Sequence, residues 1–327
     1  MIKVLEIIKK YIEKRKIDGK KIDLNVLLKQ DENAFRNILL EEDTNKQISL
    51  IYLYSNETFN NNKNIHKDEI INLFKNSTLN EYQVRYGCKT AISKRVLAKE
   101  KCIDIIKLIT RAQEEYQAQY GCDVASDEDV LAKENYLDII KLITKTKKEY
   151  QAYYGYITAV DSNVLAKENC LDIIKLITEA QKEYQAKYGC NVARDEDVLD
   201  NENYMNIIKL ITETQEYYKA LYGGDVVRDE NVLDNENYMN IIKLIIETQE
   251  EYQAQYGCNV ATNEDVLAKE NCLDIIKLIT KSENVKQAKT RYILIKEGVL
   301  NKDNYLDIIS SVPSESLDQN KKQLTRK

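Results

Sequence analysis

Seven cysteines, a single histidine and a recurring acidic triplet are the side chains best equipped for chemistry in this sequence. Thiolates serve as nucleophiles and metal ligands, and clustered carboxylates hold hard cations. The cysteines fall in two columns. Cys88, Cys122, Cys190 and Cys258 follow a Tyr-Gly pair, whereas Cys102, Cys170 and Cys272 precede Leu/Ile-Asp-Ile-Ile. Elsewhere the first column holds Tyr156 and Gly224, and the second holds Tyr136, Tyr204 and Tyr238. A position that alternates Cys with Tyr is a packing site, not a ligand or redox centre. Spacing also argues against disulfides, because neighbouring units of stacked helices lie about 8–10 Å apart and a bridge needs Cα atoms within about 7 Å. The triplets Asp127-Glu128-Asp129 and Asp195-Glu196-Asp197 lack the glycine and the downstream glutamate of a calcium loop. They stand at expected helix starts, where the macrodipole favours negative charge. His66 lies in a polar stretch beside NNNKN and reads as a solvated imidazole, so no base is at hand to activate a serine. No catalytic residue, cofactor or metal ligand is expected, and the chain reads as a non-enzyme.

The elements that carry these residues must be helices. One proline (Pro313) and nine glycines in 327 residues leave little for loops, while 43% apolar content is ample for burial. The net charge of −6 is uneven: residues 1–80 carry +2, 81–114 carry +4, 115–284 carry −16 and 285–327 carry +4. An acidic middle argues against a long nucleic-acid track, since phosphates need positive charge along the contact path. The N-terminal MIKVLEIIKKYIEKRK reads as an amphipathic helix rather than a signal peptide, and no apolar run reaches the roughly 20 residues that span a bilayer. With unpaired cysteines, the expected setting is a reducing cytoplasm, bacterial or host.

A repeat organises the chain. Tyr-Gly recurs at Tyr86, Tyr120, Tyr154, Tyr188, Tyr222 and Tyr256, each 34 residues after the last. The expected domains are a helical N-terminal region at 1–66, six tandem 34-residue units at 67–284, and a C-terminal capping repeat with a basic tail at 285–327. NVLLKQDENAFRNILL (25–40) reads as a degenerate copy, and EGVLNKDNYLDII (297–309) repeats the phrase one residue early. Each unit reads as two helices. A short one is capped by Ser126 and runs through Glu134. A long one opens at Asn135, paired with Asp138 in a capping box, and continues to Tyr154, where Gly155 ends it in the left-handed region. Tyr136, Leu137, Ile140, Ile143, Tyr150 and Tyr154 form its buried stripe, widened by Ile139 and Leu142. The fold class predicted is all-α, a right-handed α-solenoid of helix-turn-helix repeats.

VLAKENYLDIIKLI resembles the helical half of an ankyrin repeat, whose usual run has the form LHLAAENGHLDIVKLL. Ala132 falls at the family's alanine, Asn135 at its turn glycine, and Leu137-Asp138-Ile139-Ile140-Lys141-Leu142 matches closely. The likeness spans about 15 of the 34 residues in most units, without the Thr-Pro-Leu-His opening or the hairpin phrase. It implies a stacked repeat that binds proteins. The period is also similar to that of transcription-activator-like effectors, which would make the chain a nucleic-acid-binding repeat protein. Their two-residue reading loop would fall at Glu134-Asn135, yet its counterparts Glu100-Lys101, Glu168-Asn169, Glu202-Asn203, Glu236-Asn237 and Glu270-Asn271 barely vary. Tetratricopeptide repeats share the period alone.

Differences between copies point to the working surface. Val130, Leu131, Ile139, Ile140, Leu142 and Ile143 hardly change from unit to unit, whereas the segment before the short helix and its first turn does. The candidate partner-binding residues on this loop edge are Arg95, Asp127, Asp129, Arg194, Asp195, Asp197, Arg228 and Asp229. The 23 tyrosines, against three phenylalanines, read as a core-edge seam with hydroxyls reaching water; the alternative is an aromatic ladder that grips a partner peptide, since pairs four apart such as Tyr116/Tyr120 and Tyr252/Tyr256 share a helix face. The expectation is a protein–protein interaction scaffold with no cofactor and a basic protein partner, in the setting of a host-directed bacterial or viral factor.

Overall fold

Thirty-four residues of this chain fold into three helices, where the sequence suggests two. The computed structural model describes residue 6 and residues 23–30, 32–62 and 67–314. His66, the basic tail and nearly all of the N-terminal amphipathic segment lie outside the described residues. No strand occurs among the described residues, and the fold is an all-α helical repeat. One period comprises Glu115–Ala125, Glu128–Ala132 and Tyr136–Thr144, and the next opens at Glu149–Ala159.

Two compact units make up the chain, residues 1–179 and 180–327. In the first, the eleven-residue helices Glu81–Ala91, Glu115–Ala125 and Glu149–Ala159 pack side by side. The nine-residue helices Cys102–Thr110, Tyr136–Thr144 and Cys170–Thr178 form a second row, and the short helices Lys94–Leu97, Glu128–Ala132 and Ser162–Ala166 a third. Ahead of these rows, Leu27, Ala34, Ile38, Leu50, Ile51 and Tyr54 cluster, and Thr44–Tyr54 packs on Glu81–Ala91. In the second unit Glu183–Ala193, Tyr217–Val227, Glu251–Ala261 and Val285–Lys296 form the eleven- to twelve-residue row. The expected core columns are where they should be. Val130, Ile139, Ile140 and Ile143 are fully buried and Leu131 nearly so, while Leu142 is only half-buried.

The long helix expected from Asn135 to Tyr154 breaks after Thr144 without a glycine or proline. Tertiary hydrogen bonds break it. The side chain of Gln151 accepts the backbone N–H groups of Lys147 and Lys148, at 3.0 and 3.1 Å, and so caps the next helix from inside. Thr146 donates to the Ile143 carbonyl, and its own carbonyl accepts the Gln117 side-chain amide of the preceding repeat at 2.6 Å. The same device recurs. Gln83 donates to the Ala112 carbonyl, Gln185 to Thr214, Gln253 to Ser282 and Gln287 to Val312, at 2.6–2.9 Å. Each of these glutamines also accepts one or two N–H groups at the start of its own helix. The exception is Lys219, where the column has no amide.

The Tyr-Gly glycine is not a terminator. Gly121 lies inside its helix, buried, and a Cβ there would stand 2.4 Å from Thr144 Cγ2 and 2.9 Å from Ile109 Cδ1. Glycine is kept because the buried threonine that closes the nine-residue helix presses its methyl into that gap, while its hydroxyl bonds back to Ile140. Among the described residues only Gly298 has the left-handed backbone that favours glycine. The caps also move by one residue: Asp127, not Ser126, caps the short helix, and Asn135 makes no side-chain cap bond. Ser126 instead closes the preceding helix by donating to the Cys122 carbonyl.

Two sets of variants test this packing. Gln185→Leu strands two backbone N–H groups and the Thr214 carbonyl, and should cost about 1–3 kcal/mol in urea unfolding. Lys219→Gln should add about 0.5–1.5 kcal/mol by supplying the missing bonds to the Thr248 carbonyl and the N–H groups of Gln215 and Glu216. Gly121→Ala should destabilise by about 1–3 kcal/mol through overpacking. Gly224→Ala meets nothing closer than 3.9 Å and should stabilise by about 0.5–1 kcal/mol.

Candidate functional site

Three populations of side chain offer themselves as a site: the thiols, the loop-edge charges and the tyrosines. The structure treats them differently. All seven cysteines are free and buried. Those expected after a helix-ending glycine lie in mid-helix instead, Cys122 within Glu115–Ala125 and Cys258 within Glu251–Ala261. Burial pushes the Cys88 and Cys258 thiols up to about 12, and Cys102, Cys122 and Cys272 upward for the same reason. A thiol held protonated and out of reach is neither nucleophile nor ligand. Among the described residues no three His, Cys, Asp or Glu side chains come together as a metal site, and no helix is long and apolar enough to cross a membrane.

The loop edge divides into caps and exposed charges. Asp127, Asp195 and Asp229 each accept the N–H three residues on, at 3.0, 3.3 and 3.2 Å. Ser93, Asp161 and Asn263 do so at the same position of other repeats. That column is short, polar and structural. Two of the arginines are also engaged. Arg95 donates to the Ser126 carbonyl at 3.1 Å and pairs with Glu128 of the next repeat at 3.0 Å. Arg228 pairs with Asp225 at 2.9 Å and donates to the Gly224 carbonyl. Arg194 follows its helix, exposed. Asp129 and Asp197 are exposed on the first turn of their short helices, beside Glu128 and Glu196. The exposed pair changes from copy to copy: Lys94-Arg95, Glu128-Asp129, Ser162-Asn163, Glu196-Asp197, Glu230-Asn231 and Glu264-Asp265.

The tyrosines are mostly half-buried, and one column spends its hydroxyls on the protein rather than on water. Tyr218 donates to the Gln249 carbonyl at 2.9 Å and Tyr252 to Ser282 at 3.0 Å; Tyr82 and Tyr184 donate likewise to Gln113 and Gln215. A second column clusters on the outer side of the eleven-residue helices. Tyr120 lies 5.8 Å from Tyr153 and 5.7 Å from Tyr156, ring to ring, and Tyr153 is 42% exposed. Tyr217, 52% exposed, meets Tyr184 and Tyr188 edge-on. The seam or ladder expected of the tyrosines is thus open to solvent at Tyr153 and Tyr217.

At the C-terminal end Arg291 occupies the glycine column, nearly buried. It donates to the carbonyls of Leu278 and Ile309 and to Ser282 Oγ, closing two helix ends.

The thiols yield a measurable pH dependence. A thiol whose pKa rises on folding holds its proton in the folded chain after the unfolded chain has lost it. Its contribution is therefore intact below about pH 9 and is lost as pH climbs towards about 12. The urea midpoint should be flat from neutrality to about pH 8.5, near the free-thiol pKa, and then fall. Cys258→Ala should fall less steeply, and iodoacetamide should label none of the seven thiols before unfolding.

No family model, no curated protein and no solved structure matches this chain.

Proposed function

We propose that the chain is a non-catalytic protein–protein interaction scaffold, an ankyrin-like repeat array whose partner is basic and docks along the exposed first turns of the short helices. The observation that carries this reading is the split between constant and variable positions. Gln117, Gly121, Val130, Ile140 and Thr144 have counterparts that scarcely change, because each answers a packing or hydrogen-bonding need. The exposed pair that directly follows the cap varies in charge, from Lys94-Arg95 through Ser162-Asn163 to Glu196-Asp197. Constant packing under a varied rim is how repeat arrays build recognition surfaces. The −16 charge of residues 115–284 supports a basic protein over a polyanion.

The geometry refines which residues to test. Asp195 and Asp229 hold their helices together, so reversing them would confuse unfolding with lost recognition. Asp129 and Asp197 make no such bond. A cross-linking pull-down from the native cell with Asp129→Lys/Asp197→Lys should recover its specific partner at least about tenfold less well than wild type, the loss of two rim charges being worth about 1–2 kcal/mol together, with thermal stability unchanged. Equal recovery by both proteins would remove the loop edge from the binding surface.

A further inference from the structure

The chain carries within itself a template for recognising a basic side chain. In its first full repeat the Arg85 guanidinium lies 5.8 Å from the centre of the Tyr86 ring and pairs with Glu115 of the next repeat at 3.1 Å. The cation thus meets an aromatic face and two carboxylates, Glu81 of its own helix lying 3.7 Å away, an arrangement suited to guanidinium. The 34-residue period puts the same ring and carboxylate one repeat later, as Tyr120 and Glu149. The position of the arginine is taken there by Gln119. Glu149 is exposed and has no basic partner among the described residues, and its charge acts on the Tyr120 hydroxyl, raising its pKa after burial has done so. Tyr156 stacks on Tyr120 and Tyr153 is tilted against it. In the second unit the arrangement recurs as Tyr222 and Glu251, with Leu221 in the arginine's place and Glu251 again exposed and unpaired among the described residues. Where a repeat lacks the carboxylate, the arrangement changes: Lys187 covers Tyr188, and Tyr217 stands where the glutamate would be.

We infer that Tyr120/Glu149 and Tyr222/Glu251 are two slots for arginine side chains of the basic partner, each taking a guanidinium over the tyrosine ring and against the glutamate, as Arg85 does within the chain. This rests on the scaffold reading and gives the partner's chemistry: a basic protein that presents arginine side chains to the eleven-residue helices of each unit. Nothing in the first turns of the short helices is required for it.

The test fills the slots from within. Fluorescence anisotropy of labelled octa-arginine with the full chain, at physiological salt, should show saturable binding. Gln119→Arg/Leu221→Arg should weaken it at least about tenfold while leaving thermal stability equal or higher, because each new arginine repeats the Arg85 arrangement. Gln255→Arg/Asn259→Arg brings the same added charge to a repeat whose slot lacks the carboxylate, Val285 standing in its place, and should change affinity by less than about twofold, the effect expected of screened surface charge. No binding by wild type, or equal weakening by both double variants, would overturn the inference. Weakening by Asp129→Lys/Asp197→Lys with full binding by the slot-filled protein would overturn the slots while leaving the scaffold reading in place.

Discussion

A single amide side chain per repeat holds the geometry of this protein. In every repeat but that of Lys219, a glutamine stands in the first turn of the long helix; Gln117 uses its oxygen to cap its own helix and its nitrogen to reach the next repeat's turn carbonyl. Buried polar groups are costly unless bonded, and here the glutamine and the backbone of a tight helical break satisfy each other. Neither could be buried alone. The break creates orphan N–H and C=O groups, and the amide that answers them ties consecutive repeats in register. Tyrosine hydroxyls add a second tie to the same turns.

Close packing supplies the other constraint. Gly87, Gly121, Gly155, Gly223 and Gly257 lack the Cβ that would collide with a threonine or isoleucine methyl of the nine-residue helix. Helices meet closely at that point, and the fully buried isoleucine triplets lie beneath it. With register set by glutamine and spacing set by glycine, the first turns of the short helices and the outer face of the long row are released from structural duty. Their charges and rings vary from copy to copy, as surfaces available for recognition do.

Much of this was legible in the residues, for a physical reason. The 34-residue period, the all-helical fold and the core columns follow from composition and apolar spacing, which local burial obeys. The helical break at Lys145–Lys148 is not legible: no glycine or proline marks it, Thr146 is a weak signal, and the bond that reaches its carbonyl comes from an amide 29 residues away. The glycine after each tyrosine was misread because the left-handed helix end and the close helix contact make the same demand for a missing Cβ. The sequence places the Asp127 and Asp195 triplets both at helix starts and on the rim; the bonds of Asp127, Asp195 and Asp229 to Val130, Val198 and Val232 tell which member of each group is the cap.

Amide hydrogen exchange on the intact chain tests the glutamine account most directly. Lys147, Lys148, Gln181 and Lys182 have exposed side chains in a non-helical turn, yet their N–H groups are bonded to Gln151 and Gln185. Their exchange should be slowed to the level of the flanking helices. Gln215 and Glu216, in the repeat where Lys219 replaces the glutamine, should exchange at least about a hundredfold faster. Equal exchange in all three turns would contradict the account, whether all are protected or none is.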